Sequence, residues 1–230
     1  MALPLQILVA ATMWLGMLIA SPDARADCKD MAGPGVDWHG SNKQLLQLEG
    51  SDLAESNLAG AFLSGTRFKG AKLARADLDT SELVRTSFEN ADLAGANLEK
   101  ALAARSTFKG ASLVDARLVK AEFQRVSFEG ADLSRADLEE AELMRNDFTR
   151  ANLTNANLTG ATLARATFKD ATLAGASLKR AYLYWARFEG TDLSEVKDLS
   201  QAQLDMACGD ANTKLPAGLT VPKSWPCQGE

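Results

Sequence analysis

The apolar positions between Leu46 and Glu195 recur every five residues. Their centres fall at Leu48, Leu53, Leu58, Leu63, Phe68 and onward without a break to Leu193. Of these 30 centres, 21 are Leu, eight are Phe and one, Ala103, is small. Two residues before each centre, 27 of 30 positions hold Ala, Ser or Thr, with Leu46, Val126 and Asn146 as the exceptions. An α-helix cannot use this pattern, because five residues advance about 500° and smear the centres around the axis. A flat strand cannot use it either, because an odd period sends successive centres to opposite faces. A short extended piece followed by a turn satisfies it. The small residue and the Leu or Phe then point inward, their neighbours point outward, and the fifth residue turns a corner. The ten glycines of the block all sit at that fifth position, where a left-handed backbone is expected. All six prolines lie outside the block, as stacked strands that need every backbone donor require.

A second period gives the number of sides. Phe68, Phe88, Phe108, Phe128, Phe148, Phe168 and Phe188 recur every 20 residues, and of the Phe centres only Phe123 falls elsewhere. Four units per coil place the seven rings in one column. With coils roughly 4.8 Å apart, 30 units make about 7.5 coils and roughly 36 Å of solenoid.

The stretches that spell A-(D/N)-L as written include Ala91-Asp92-Leu93, Ala96-Asn97-Leu98, Ala131-Asp132-Leu133, Ala136-Asp137-Leu138, Ala151-Asn152-Leu153 and Ala156-Asn157-Leu158. In this the chain resembles the pentapeptide-repeat family over about two thirds of its length. The resemblance implies an all-β fold, a right-handed quadrilateral β-helix. It implies no activity, since members of one fold bind different things.

The expected organisation is a signal peptide over 1–26, an N-terminal cap over 27–45, the β-helix over 46–195, and a helical and irregular C-terminal cap over 196–230. Leu3 to Ala20 is mostly apolar and Ala24-Arg25-Ala26 is an A-x-A cleavage site, although the segment before it carries no Lys or Arg. The competing reading is an uncleaved anchor, barely long enough to span a bilayer. Cleavage makes the mature protein periplasmic or secreted, free of the membrane. Gly35-Val36-Asp37-Trp38-His39-Gly40 offers an apolar plug before the repeats. After them the spacing slips by one, and Leu199–Ala207 is predicted as a short helix with Asp198 as its N-cap and Gly209 as its stop. Pieces of the tail (Ala207-Cys208-Gly209, Trp225-Pro226-Cys227) resemble the ends of exported pentapeptide-repeat proteins of Gram-negative bacteria. The three cysteines allow three pairings. Cys28 precedes the solenoid and the others follow it, whereas bonded cysteines need Cα atoms within about 7 Å. Cys208–Cys227 is therefore the predicted bridge. Cys28 is left buried or unmodified, with an interchain link as the alternative.

The net charge of −5 is too mild to define a partner class, and no basic run suggests a nucleic-acid arm. The outer faces say more. Lys69, Glu89, Lys109, Glu129, Thr149, Lys169 and Glu189 form one column of mostly alternating charge, which fixes register. One corner reads Gly65, Arg85, Arg105, Arg125, Arg145, Arg165, Trp185. Its bland reading is a solvated ladder relieved by Glu82, Glu122 and Glu142. Its functional reading is a cationic strip, beside which Phe62, Leu102, Met144, Tyr182, Tyr184 and Trp185 add the aromatic and Arg composition enriched at interfaces. The Asp and Asn residues before the centres stand in single file, without the converging oxygens calcium needs. After cleavage His39 is the sole histidine, and no nucleophile elbow, phosphate loop or metal spacing is present.

The sequence therefore reads as a non-enzymatic exported scaffold. It needs no cofactor and binds no nucleic acid. It presents Arg85, Arg105, Arg125, Arg145, Arg165, Tyr182, Tyr184 and Trp185 to an unidentified protein partner, and pairing with a second copy is open. The alternative implied by the resemblance is a DNA mimic acting on DNA gyrase. An export signal and an arginine corner both weigh against it.

Overall fold

The structure, a computed structural model, describes residues 30–227. The signal segment 1–26 and Cys28 lie outside these residues. Parallel bridges join residues 20 apart without interruption, from Asp37↔Asn57 through Asp92↔Ser112 to Ser177↔Lys197. Four five-residue units therefore close each coil of a four-sided β-helix. The sides are so short that only one pair is long enough to count as strands: β1 (Leu102–Ala104) and β2 (Glu122–Gln124), which are parallel and in register.

Each unit repeats one hydrogen-bonding scheme. In the unit centred on Leu93, the Asp92 N–H donates to Ala71 O in the coil before at 2.9 Å. The N–H groups of Leu93 and Gly95 donate to Ser112 and Val114 in the coil after, at 2.7 and 2.8 Å. Ala96 N–H closes the turn onto Leu93 O at 3.0 Å. One donor per unit remains, on the residue after the centre. In the Asp and Asn units the side chain before the centre takes it. Asp92 Oδ1 accepts from Ala94 N–H at 3.0 Å, Asp132 Oδ1 from Ser134 at 2.9 Å, and Asn152 Oδ1 from Thr154 at 3.1 Å. Short Asx side chains reach a backbone two residues on, so these positions serve the fold.

The fifth residue has positive φ at every unit from Gly35 to Gly190, whether glycine or not: Arg125 has φ 55° and Trp185 56°. An L-residue there costs roughly 1–2 kcal/mol, which the two flanking hydrogen-bond ladders must offset. Corner side chains lean toward the following coil. A Cβ added to Gly65 would lie 2.6 Å from Leu45 Cδ2, and one on Gly110 2.4 Å from Asn90 Oδ1.

The core is a single column of Leu and Phe alternating with small residues, nearly all of them fully buried. The predicted Phe stack is present, with consecutive ring centroids 4.6 to 5.2 Å apart from Phe68 to Phe188. Phe123, which the 20-residue period leaves out, joins it: its ring lies 5.6 Å from Phe108 and 6.1 Å from Phe128.

The coil geometry is longer than the block 46–195. It starts at Asp37, inside the segment expected to be a cap. Trp38 and Lys43 occupy centre positions there, and Ser41 a small position. The apolar pattern hides this because a lysine stands where Leu is expected. Lys43 Nζ lies 4.1 Å from the centroid of the buried Trp38 ring. At the other end the ladder continues as Arg187↔Cys208 and Asp192↔Lys214, with offsets of 21 and 22 that absorb the inserted residues.

The C-terminal helix is shorter than expected. It is α1 (Gln201–Leu204), and its N-cap is Ser200 rather than Asp198. Asp198 is drawn into a left-handed turn, φ 58°, so the next hydroxyl takes the cap. Ser200 N–H donates to Gln203 Oε1 at 3.0 Å, completing a capping box. Gln203 Nε2 then donates to Leu178 O and Ala181 O at 2.8 and 2.9 Å, fastening α1 to the last coil. Gly209 is not a helix stop either; the Trp225 ring packs against it, 2.3 Å from where a Cβ would stand. The bridge Cys208–Cys227 is present, with Cα atoms 5.5 Å apart.

Candidate interaction face

Three of the four corners pair most of their charges, with Arg180, Asp170 and Glu195 the ones left without an ion pair among the described residues. Arg75 pairs with Glu55, Arg135 holds Asp115 through two bonds of 2.7 Å, and Lys120 meets Glu140 at 3.4 Å. On the third of these corners Arg150 reaches back to Glu129. The Arg135 guanidinium lowers the Asp115 pKa, and the carboxylate in turn raises that of Arg135. The charge column beside the Phe stack pairs at Lys69–Glu89, 3.9 Å, and Lys109–Glu129, 2.7 Å.

The remaining corner differs. Arg85, Arg105, Arg125 and Arg145 stand on successive coils, exposed, and no ion pair or side-chain hydrogen bond among the described residues reaches their guanidinium groups. The glutamates expected to relieve them do not. Glu82 accepts instead from Ser64 Oγ at 2.8 Å, and neither Glu122 nor Glu142 forms an ion pair among the described residues. Arg165, the fifth rung, is half-buried and engaged, so it does not belong with these four. The ladder is bounded by Leu45 on one side of Gly65 and by Trp185 at the other end.

The flat side leading into this corner, with the corner itself, carries most of the exposed large hydrophobics among the described residues. From Phe62 onward its units carry no Asp or Asn before the centre. The N–H groups of Val84, Met144, Ala164 and Tyr184 accordingly find no acceptor among the described residues. A shallow groove runs over Ala104, Arg105, Gln124, Arg125, Met144 and Arg145. Among the described residues eight large hydrophobics are exposed, and five of them (Leu45, Phe62, Leu102, Tyr182 and Tyr184) lie on this side or its corner. Scattered exposed apolar groups need no explanation, but a concentration on one side does. Tyr182 and Tyr184 stack with centroids 6.2 Å apart, and Trp185 meets Tyr184 edge-on at 6.5 Å. The structure thus brings the sequence-derived residues onto one edge, with Arg165 set apart by its own contact. Among the described residues, unbonded N–H groups also occur on the neighbouring side, at Lys69, Glu89, Lys169 and Glu189, so they do not single this side out.

Models of pentapeptide repeats match residues 47–83, and models of a pentapeptide repeat region match 81–158 and 103–178. The chain belongs to the pentapeptide repeat family. Among solved structures it is similar to HetL, a pentapeptide repeat protein involved in heterocyst differentiation regulation in the cyanobacterium Nostoc sp. strain PCC 7120. That match has 25% identity over 85% of this chain and 91% of that one, with a TM-score of 0.44. It is similar to QnrB1, a plasmid-mediated fluoroquinolone resistance protein, at 18% identity over 77% and 94% of the two chains, with a TM-score of 0.39. A pentapeptide repeat protein of the Arabidopsis thaliana thylakoid lumen is 29% identical over 65% and 82%, with a TM-score of 0.17. No functionally curated protein matches the chain.

Proposed function

We propose that this protein is a non-enzymatic, exported scaffold that binds a protein partner through the arginine corner and the apolar side beside it. The observation that carries the reading is the row of four guanidinium groups on consecutive coils, Arg85, Arg105, Arg125 and Arg145, with no ion pair among the described residues, on a molecule whose other corners pair most of their charges. Like charges about 5 Å apart repel by roughly 1 kcal/mol each even in water. A row of them without counter-charges is a feature that an acidic partner relieves. The backbone beneath is held by ladders on both sides, so the row is preformed and little conformational entropy is lost on binding.

A photo-crosslinking residue in place of Gln124, between Arg105 and Arg125, tests the face. In the envelope fraction of a Gram-negative host it should give a discrete adduct that disappears in Arg125→Ala/Arg145→Ala. The same residue in place of Thr154, on another side, should give none. Equal labelling from both sides refutes the assignment. Export is tested separately by intact mass: the periplasmic protein should lack residues 1–26 and weigh two hydrogens less than its thiol form.

A further inference from the structure

Resting on that reading of the face, we infer that its occupant is an amphipathic α-helix of the partner, lying along the solenoid axis. One acidic residue per turn faces Arg85, Arg105, Arg125 and Arg145, and a neighbouring apolar stripe covers the flat side. The argument is one of matched repeats. The four arginines stand on consecutive coils, so their rungs repeat at roughly 4.8 Å and span about 14 Å. A helix lying parallel brings the same face round every 5.4 Å or so, so four turns' worth of acidic residues span about 16 Å. The mismatch of about 2 Å over the whole row is within the reach of flexible arginine side chains. An extended peptide places same-side residues roughly 6.7 Å apart, and by the fourth rung it is out of step by about 6 Å.

The second requirement is a stripe of apolar groups parallel to the charges. Phe62, Leu102 and Tyr182 lie in the outward column before the centres, where Glu82, Glu122 and Glu142 interrupt them, and Met144 and Tyr184 in the column next to the corner, which carries no charge from Ser64 to Tyr184. Both columns run along the same axis as the arginines. Phe62, Leu102, Tyr182 and Tyr184 are each 40 to 46% exposed. An amphipathic helix with its acidic and apolar residues on adjoining stripes covers both at once. A polysaccharide or a duplex matches only the charge, leaving Phe62, Leu102 and Met144 in water. Leu45, 75% exposed, and Trp185 mark apolar ends to the row, seven coils or roughly 34 Å apart, which a helix of about 22 residues would span.

The test uses the full mature chain and four labelled probes. The first is a helical peptide with Glu every third or fourth residue and Leu on the adjoining stripe. The second has the same composition with prolines that abolish the helix. The third is a polygalacturonate and the fourth a short DNA duplex. Binding is read by anisotropy at low and moderate salt, with thermal melting as the control for folding. The expected result is that the helical peptide binds best. Arg105→Ala/Arg145→Ala should weaken it roughly tenfold or more, and Leu102→Ser should weaken it without changing the salt slope. Equal binding by the proline peptide overturns the helical occupant and leaves the cationic face standing. Tighter binding by polygalacturonate or by DNA overturns it in favour of a polyanion. If no probe binds, the reading of the face as an anion-seeking surface falls with it.

Discussion

Ala103 lies directly beneath Phe123, its register partner across the β1–β2 pair, and the smallest centre of the solenoid is thus covered by the one central phenylalanine outside the 20-residue column. Both are fully buried. The ring of Phe123 leans toward Phe108 and Phe128 and uses the volume that a leucine at position 103 would fill. Replacing Phe123 by Ala should cost about 3–5 kcal/mol, since it empties a site whose lower neighbour is already small. Ala103→Leu alone should overpack the core and cost about 1–3 kcal/mol. The pair Ala103→Leu/Phe123→Leu conserves volume and should recover most of the loss. A double-mutant cycle by urea unfolding checks this; additive effects would show that the two sites do not share space.

The Asx ladder makes a second prediction. Asp132 Oδ1 accepts from Ser134 N–H at 2.9 Å and from Asn152 Nδ2 at 3.0 Å. Asp132→Ala removes the acceptor of both bonds and should cost about 1–3 kcal/mol, whereas Asp132→Asn keeps an acceptor oxygen and should cost less. Thermal melting of the two variants side by side decides it. Equal losses would mean that charge, not the acceptor, matters at this position.

The tail is fastened at three points. Cys208 is bonded to Cys227, Trp225 Nε1 donates to Ala207 O at 2.6 Å, and Gln201 Nε2 donates to Thr220 O at 3.0 Å. Cys208→Ser/Cys227→Ser opens a loop of sequence separation 19 and should cost about 3 kcal/mol. Trp225 should then leave Gly209 and its fluorescence should shift to the red. An unchanged spectrum would show that the other two contacts hold the tail without the bridge.

Acid sensitivity should concentrate at the last rung of the ladder. The Lys214 ammonium bonds Asp192 at 2.7 Å, and the Ser194 hydroxyl and N–H add bonds of 2.6 and 3.0 Å. Together they hold the Asp192 carboxyl down to about 2. Because the folded value lies below the unfolded one, near 4, the contribution to stability is complete above pH 4 or so and is lost as pH falls toward 2. Glu99, Asp115, Glu129 and Asp210 are lowered in the same sense. Asp192→Asn should therefore flatten the stability profile between pH 4 and 2 without changing its shape above pH 5. Unfolding midpoints across this range check it; parallel profiles for the two proteins would contradict the assignment.

What the sequence determined by itself is what depends on local repetition. The five-residue period fixes which side chains point inward, and the column of Phe68 to Phe188 fixes four units per coil, because burial acts identically on every unit. The pairing of Cys208 with Cys227 followed from distance alone. Non-repeating positions were decided by the tertiary structure. Lys43 reads as an interruption until the coil places its ammonium over Trp38. Asp198 reads as a helix cap until the left-handed turn takes it and leaves the role to Ser200. Phe123 reads as out of place until the register sets it over Ala103. The arginine corner was legible as a column of like residues, but whether Glu82, Glu122 and Glu142 would neutralise it was not. That depends on side-chain directions 20 residues apart, and these are set by the way each corner leans on the next coil rather than by any spacing along the chain.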